Sequence, residues 1–205
     1  MAVWSYFYPD VMVCAPSCPQ PLVDQSIRRA CVNFFQRTRA WRIWLDSIAA
    51  NASNQYDFDT PSESEIVKVE KATVDGTPYG VITPNELDKD PTLFQASAGQ
   101  GLVSDDLRSY RFIVPLSVGQ SIQAYVSLKP TATAQGLPDA LASDFYDQIC
   151  DGAKARILAL PKTDFIDLPM AGAYAQRFEA AINSIAVQSW RGRTLNVARQ
   201  RMKWM

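Results

Sequence analysis

Histidine is missing from the 205 residues altogether. That absence removes Ser–His and Cys–His nucleophile pairs, the usual neutral-pH general base, and every zinc site with an imidazole ligand. Glycine is sparse, at nine residues, and nothing matches a phosphate-cradling loop. The closest pair, Gly99-Gln100-Gly101, runs on into Leu-Val-Ser-Asp-Asp with no third glycine and no lysine, so it reads as a flexible loop. No apolar run approaches the roughly 20 residues that cross a bilayer, and the opening MAVWSYFYPD lacks a basic stretch leading into an apolar one. The expectation is a protein neither membrane-spanning nor conventionally secreted. Only one adjacent acidic pair exists, Asp105-Asp106, and neighbours in a strand point to opposite faces, so it makes a poor general acid and base couple.

The four cysteines give one Cys-x3-Cys, Cys14 and Cys18, with Cys31 and Cys150 standing apart. A four-thiolate zinc site normally needs two close pairs. The spacing therefore predicts no metal; Cys31 and Cys150 read as small core residues, and Cys14 and Cys18 as dispensable members of an extended arm containing Ala-Pro-Ser, Pro19 and Pro21. No cofactor and no catalytic residue is expected.

What is present is 47% apolar residues, ordinary for a globular core, and a near-neutral total charge of −1. That total hides an asymmetry. Residues 190–205 hold Arg191, Arg193, Arg199, Arg201 and Lys203 and no acid, which leaves 15 bases against 21 acids in residues 1–189. Trp190, Leu195, Val197, Met202 and Trp204 interleave with those bases, and apolar side chains so placed are better explained by docking than by solvation.

Periodicity predicts a helix from Pro21 to Trp41, its apolar stripe running Val23, Ile27, Ala30, Cys31, Phe34 and its other face carrying Arg28, Arg29 and Arg39. Alternation then predicts strands at Trp41–Leu45, near Tyr56 and Phe58, and from Ile66 to Val74. Asp75-Gly76 is a two-residue hairpin signal, with Thr77–Thr83 as the return strand. Thr83-Pro84-Asn85-Glu86-Leu87 suggests a short helical turn, residues 89–109 a flexible surface loop, and Tyr110–Pro115 with Ser121–Leu128 a second hairpin turning near Val118-Gly119-Gln120. Two helices follow. One opens at Leu137-Pro138-Asp139 and closes at Pro161; the other starts on Asp167 as N-cap and runs towards Trp190. The resulting organisation is an arm and first core helix (1–41), a mainly β insertion (42–136), two core helices (137–189) and a basic docking tail (190–205).

Several strings resemble those of the head-to-tail adaptor, connector or head-completion proteins of tailed bacteriophages. They are PLVDQSIRRACVNFFQRTRAW, VDGTPYGVITPNELD, VSLKPTATAQGLPDALASDFYDQICDGAKARILALP and AYAQRFEAAINSIAVQSWRGR, which together span most of the chain. The resemblance implies an α+β fold, a small helical bundle with an inserted antiparallel β region and an extended C-terminal tail. It also implies a structural virion protein: a ring of twelve copies under the portal, joining the DNA-filled head to the tail, with no enzymatic activity. The implied partners are the portal protein, neighbouring adaptor subunits, a tail or nozzle protein below and, transiently, genomic DNA in the channel; no membrane is involved, and the place is the virion, with the host cytoplasm during assembly. Portal docking falls on Trp190, Arg191, Arg193, Leu195, Arg199, Arg201, Met202, Lys203 and Trp204, and Arg28, Arg29 and Arg39 form a possible secondary interface. The rival reading is a nucleic-acid-binding accessory protein whose basic tail neutralises phosphates and stacks bases.

Overall fold

A computed structural model of the chain describes residues 1–83, 85, 101–104, 109–161 and 163–191. The order of elements is β1 (Ala2–Val3), a 3₁₀ turn (Trp4–Phe7), α1 (Tyr8–Cys14), α2 (Gln20–Thr38), β2 (Arg42–Trp44), β3 (Ile48–Ala49), β4 (Ser64–Val74), β5 (Thr77–Ile82), β6 (Gly101–Ser104), β7 (Tyr110–Phe112), β8 (Ser121–Pro130), β9 (Gly136–Leu137), α3 (Asp139–Asp144), α4 (Tyr146–Leu158) and α5 (Leu168–Arg191). The expected small helical bundle with an inserted β region is corrected by this structure. The fold is α+β, but a large, curled, mixed seven-stranded sheet shaped like a half-barrel carries most of the core, with five helices among the described residues beside it.

The reason lies in which strands pair. Strands β2, β8, β4, β5, β6 and β7 follow one another across the sheet, and β3 also pairs with β8. Strand β8 is central: Ile122, Ala124, Val126 and Leu128 are all fully buried, and β4 runs antiparallel to it from Ser64↔Pro130 to Val74↔Ile122. The predicted hairpin between Tyr110–Pro115 and β8 does not form; β7 pairs instead with β6, at the opposite side of the sheet. Strand β6 lies where a surface loop is expected, parallel to β5, with Gly101, Leu102 and Val103 buried. The rest of the predicted loop, residues 89–100 and 105–108, lies outside the described residues, as does most of the turn predicted at 83–87.

The Asp75-Gly76 turn is as the sequence predicts. Both residues take positive φ, 50° and 79°, which a two-residue hairpin turn with the right twist requires. Asp75 does more than turn. Its carboxylate accepts from the backbone N–H of Ser121 at 2.9 Å and from the Gln120 side chain at 3.0 Å, tying the hairpin to the start of β8.

On the helical side, α2 is buried along Val23, Ile27, Ala30, Cys31, Phe34 and Phe35, as its periodicity predicts. It ends where Arg39 adopts φ 49°, three residues short of the predicted Trp41. Asp24, in the first turns of α2, accepts a 2.6 Å hydrogen bond from the Tyr8 hydroxyl. Burial, reinforced by that carboxylate, pushes the Tyr8 phenol up to about 12. The first nineteen residues are folded and not an extended arm. Trp4, Phe7, Val11 and Cys18 are buried, and Trp4 Nε1 donates to the Ala134 carbonyl at 2.9 Å. The helix predicted after Pro138 is broken at Phe145 into α3 and α4, while Asp167 does cap α5, accepting from the Met170 N–H at 3.0 Å.

Helices α2, α4 and α5 meet closely at Gly152. A Cβ there would stand 2.8 Å from the Phe178 ring and 3.0 Å from the Ala30 Cβ, so the absent methyl sets the helix spacing. Gly152→Ala gains helix propensity but overpacks the crossing, and should lower stability by about 1–3 kcal/mol in urea unfolding; an unchanged or higher midpoint would show that the helices can separate at no cost.

Candidate functional site

Three places on the described surface concentrate polar chemistry. The first is the end of α5, where the predicted docking tail begins. Arg42 of β2 donates from Nη1 to the Ser189 carbonyl at 2.7 Å and from Nη2 to its hydroxyl at 3.2 Å. The Ser189 hydroxyl in turn donates to the Thr38 carbonyl at the end of α2, at 2.6 Å. A cation from the sheet and a hydroxyl bridge to α2 thus hold this turn of the helix. Farther down, Arg37 grips Glu179 through both guanidinium nitrogens at 2.6 Å each. That fork holds the Glu179 carboxyl below its ordinary range. Helix α5 is thereby clamped to the body up to Ser189. Trp190 and Arg191 are its last described residues, and Arg193, Leu195, Arg199, Arg201, Met202, Lys203 and Trp204 lie outside the described residues.

The second place is a polar knot between α1, α4 and α5. Lys154 of α4 has a side chain only 8% exposed and donates to Asp10 Oδ2 at 2.7 Å. Its ammonium also sits 5.1 Å from the Tyr174 ring centroid, and the Tyr174 hydroxyl and Cys14 Sγ are 3.5 Å apart. The other three cysteines are buried in the core. Burial raises Cys18, Cys31 and Cys150, and a reactive cysteine needs the reverse. Burial works against the Lys154 charge, yet its hydrogen bond to Asp10 and the Asp10 charge outweigh it, and its pKa is raised. The knot thus holds α1 to the helical layer.

The third place is an arginine pocket. Arg28 and Arg29 of α2 do come together, and Arg156, in the last turn of α4, joins them, around a depression of about 500 Å³ that also takes in Gln25, Asn33 and Gln36. Arg28 Nη1 donates to the Ala132 carbonyl at 3.3 Å. Arg39, predicted to share this face, does not: it closes α2 and faces Glu70 of β4 at 3.8 Å. Arg156 was not predicted. Its one sequence signal is a cation in the last turn of a helix, usually a complement to the helix dipole. No family model matches the chain, and no curated protein matches it.

The knot yields a test of its own. Asp10 is 42% exposed and Lys154 is not, so removing the acid strands a buried cation, whereas removing the cation leaves a carboxylate that water can reach. Asp10→Asn should therefore cost about 3 kcal/mol, and Lys154→Met no more than about 1 kcal/mol. A lysine pKa raised in the fold contributes stability that is fully present below its unfolded value of about 10.5 and is lost only as pH rises through the higher folded value. The contribution of the pair to the stability of the parent protein should therefore be equal at pH 6 and pH 8. Urea unfolding that found Lys154→Met costlier than Asp10→Asn would contradict this reading.

Proposed function

We propose that the chain is a structural virion protein, a head-to-tail adaptor that assembles as a ring, of twelve copies, beneath a portal and joins the DNA-filled head to the tail. Its partners on this reading are the portal protein, neighbouring copies of itself and a tail or nozzle protein, with genomic DNA passing through the ring. It is not an enzyme. The observation that carries the proposal is the clamp at Ser189. The last described turn of α5 is fixed to α2 and β2, and the sequence that continues from this anchor is the one with five bases, no acid and interleaved Trp, Leu, Val and Met. A docking segment attached to a rigid root delivers its binding free energy to the whole body instead of losing it in a flexible joint.

The fold adds no support drawn from the family's helical core, since the sheet dominates here; the reading rests on the tail and its anchor. Arg191 and Arg193 lie closest to the clamp, Arg201 and Trp204 are the anchors expected to matter most, and repetition around a ring multiplies modest contacts. The acidic balance of residues 1–189 suits a conduit, because DNA threading it should slide and not adhere.

Deleting residues 191–205 should leave circular dichroism and thermal melting nearly unchanged, because the clamp at Ser189 is retained, while abolishing attachment to portal rings in a sedimentation assay. Undiminished attachment would reject the tail as the anchor. Salt-sensitive DNA binding by the free, full-length monomer, lost on the same deletion, would instead favour a nucleic-acid-binding accessory protein.

A further inference from the structure

The arginine pocket has features that neither the docking tail nor the fold accounts for. Gln25, Arg28, Arg29, Val32 and Gln36 recur along α2 at helical spacing and form the face opposite its buried stripe. Arg156 closes the pocket from α4. Among the described residues no carboxylate pairs with any of the three arginines, whereas Arg37 and Arg39 each face a glutamate. Three cations line one depression, and burial, with the charge of Arg29 added, lowers the Arg156 pKa. Arg28 is also under-used. With Nη1 committed to Ala132, its Nε is shut away from solvent with no hydrogen-bond partner. A buried unpaired donor is costly to the fold, and turning the Nε–Nη2 edge towards an oxyanion would satisfy it in a bidentate contact.

We propose that this pocket is a docking site for clustered acidic side chains on a protein partner. Three guanidinium groups with the amides of Gln25, Asn33 and Gln36 supply planar donors suited to carboxylates, and Val32 gives the pocket an apolar wall for their methylene stems. A duplex fits less well. Its phosphates recur every few ångströms, and the depression next to the pocket, which shares Gln36, is lined by Asp57 and by Glu65 paired with Lys129 at 3.2 Å, so the positive potential does not continue beyond the arginines as a stripe that a rod could follow. A short acidic segment of a protein ends inside the pocket and needs no such stripe. The inference stands on the pocket alone, whether or not the chain forms a ring beneath a portal.

The test uses the full-length protein and a fluorescein-labelled hexaglutamate peptide followed by fluorescence anisotropy, with a hexaglutamine peptide and a short DNA duplex as comparison probes. Hexaglutamate should bind saturably and hexaglutamine should not. Arg29→Ala and Arg156→Ala should each weaken binding about tenfold with unchanged circular dichroism, and Lys71→Gln, an exposed cation on β4, should leave it unaltered. The proposal is overturned if hexaglutamate fails to saturate, if both arginine variants bind as well as the parent, or if the duplex binds more tightly than the peptide through the same two arginines.

Discussion

The seam along α2, with strand β8 on one side and helices α4 and α5 on the other, is the constraint on which the other layers depend. Val23, Ile27, Phe34 and Phe35 are fully buried in it, and each such side chain contributes about 1.5–3 kcal/mol. Phe35 meets Trp41 at 5.9 Å between centroids and Phe145 at 5.7 Å, so a single residue joins the edge of the sheet to the break between α3 and α4. Phe34 reaches Phe145 and Phe178, bringing α5 into the same packing. Because α2 is buried on two sides, only one strip of it faces solvent, and that strip carries Arg28 and Arg29. Burial therefore decides where the charges stand.

Helices α2, α4 and α5 were legible in the sequence because each carries its own period over several turns, whereas the seven-residue α1 was not. Residues 23, 27, 30, 31 and 34 mark one face of α2 without reference to anything else, and Asp167 marks the start of α5 with one capping carboxylate. The sheet was legible only in pieces. Strands β3 and β6 are two and four residues long, too short for a two-residue alternation to stand out. The pairing of the sheet is also non-local: β8 joins β4 across 48 residues at Val74↔Ile122 and 66 at Ser64↔Pro130, skipping β7, which is nearer in sequence. Strand β4 further slips its register between Ile66 and Lys68 and again between Val69 and Lys71, so the alternation that would announce a long central strand is interrupted twice. A sheet read as separate hairpins looks like an insertion, and only the pairing across β8 reveals it as the main layer.

The same distinction between local and convergent information applies to the polar sites. Arg28 and Arg29 were legible as a basic face because they are neighbours on one helix. Arg39 seemed to extend that face by spacing, but α2 ends there in a left-handed turn and the side chain swings towards Glu70. Arg156 belongs to the pocket through the packing of α4 on α2, and no local pattern in α4 reports what its end will face. The Ser189 clamp was invisible for the same reason: serine near a helix end is unremarkable until Arg42 and Thr38 arrive beside it.

The described arginines divide by what faces them, and that division says more about function than the total charge does. Arg37 has both oxygens of Glu179, Arg42 has the end of α5, and Arg177 lies 5.8 Å above the Tyr174 ring. Arg37 and Arg42 each hold two elements together, and their charge is consumed in doing so, whereas the Arg177 contact lies within α5. Exposed pairs of this kind contribute only about 0–1 kcal/mol, so their value is geometric: they set how α5 lies on α2 and β2. Among the described residues, Arg28, Arg29 and Arg156 join no elements through a carboxylate. A fold that places acids opposite arginines elsewhere on α2 but none of the described ones opposite these three retains a local excess of positive potential there, which suits an anionic ligand.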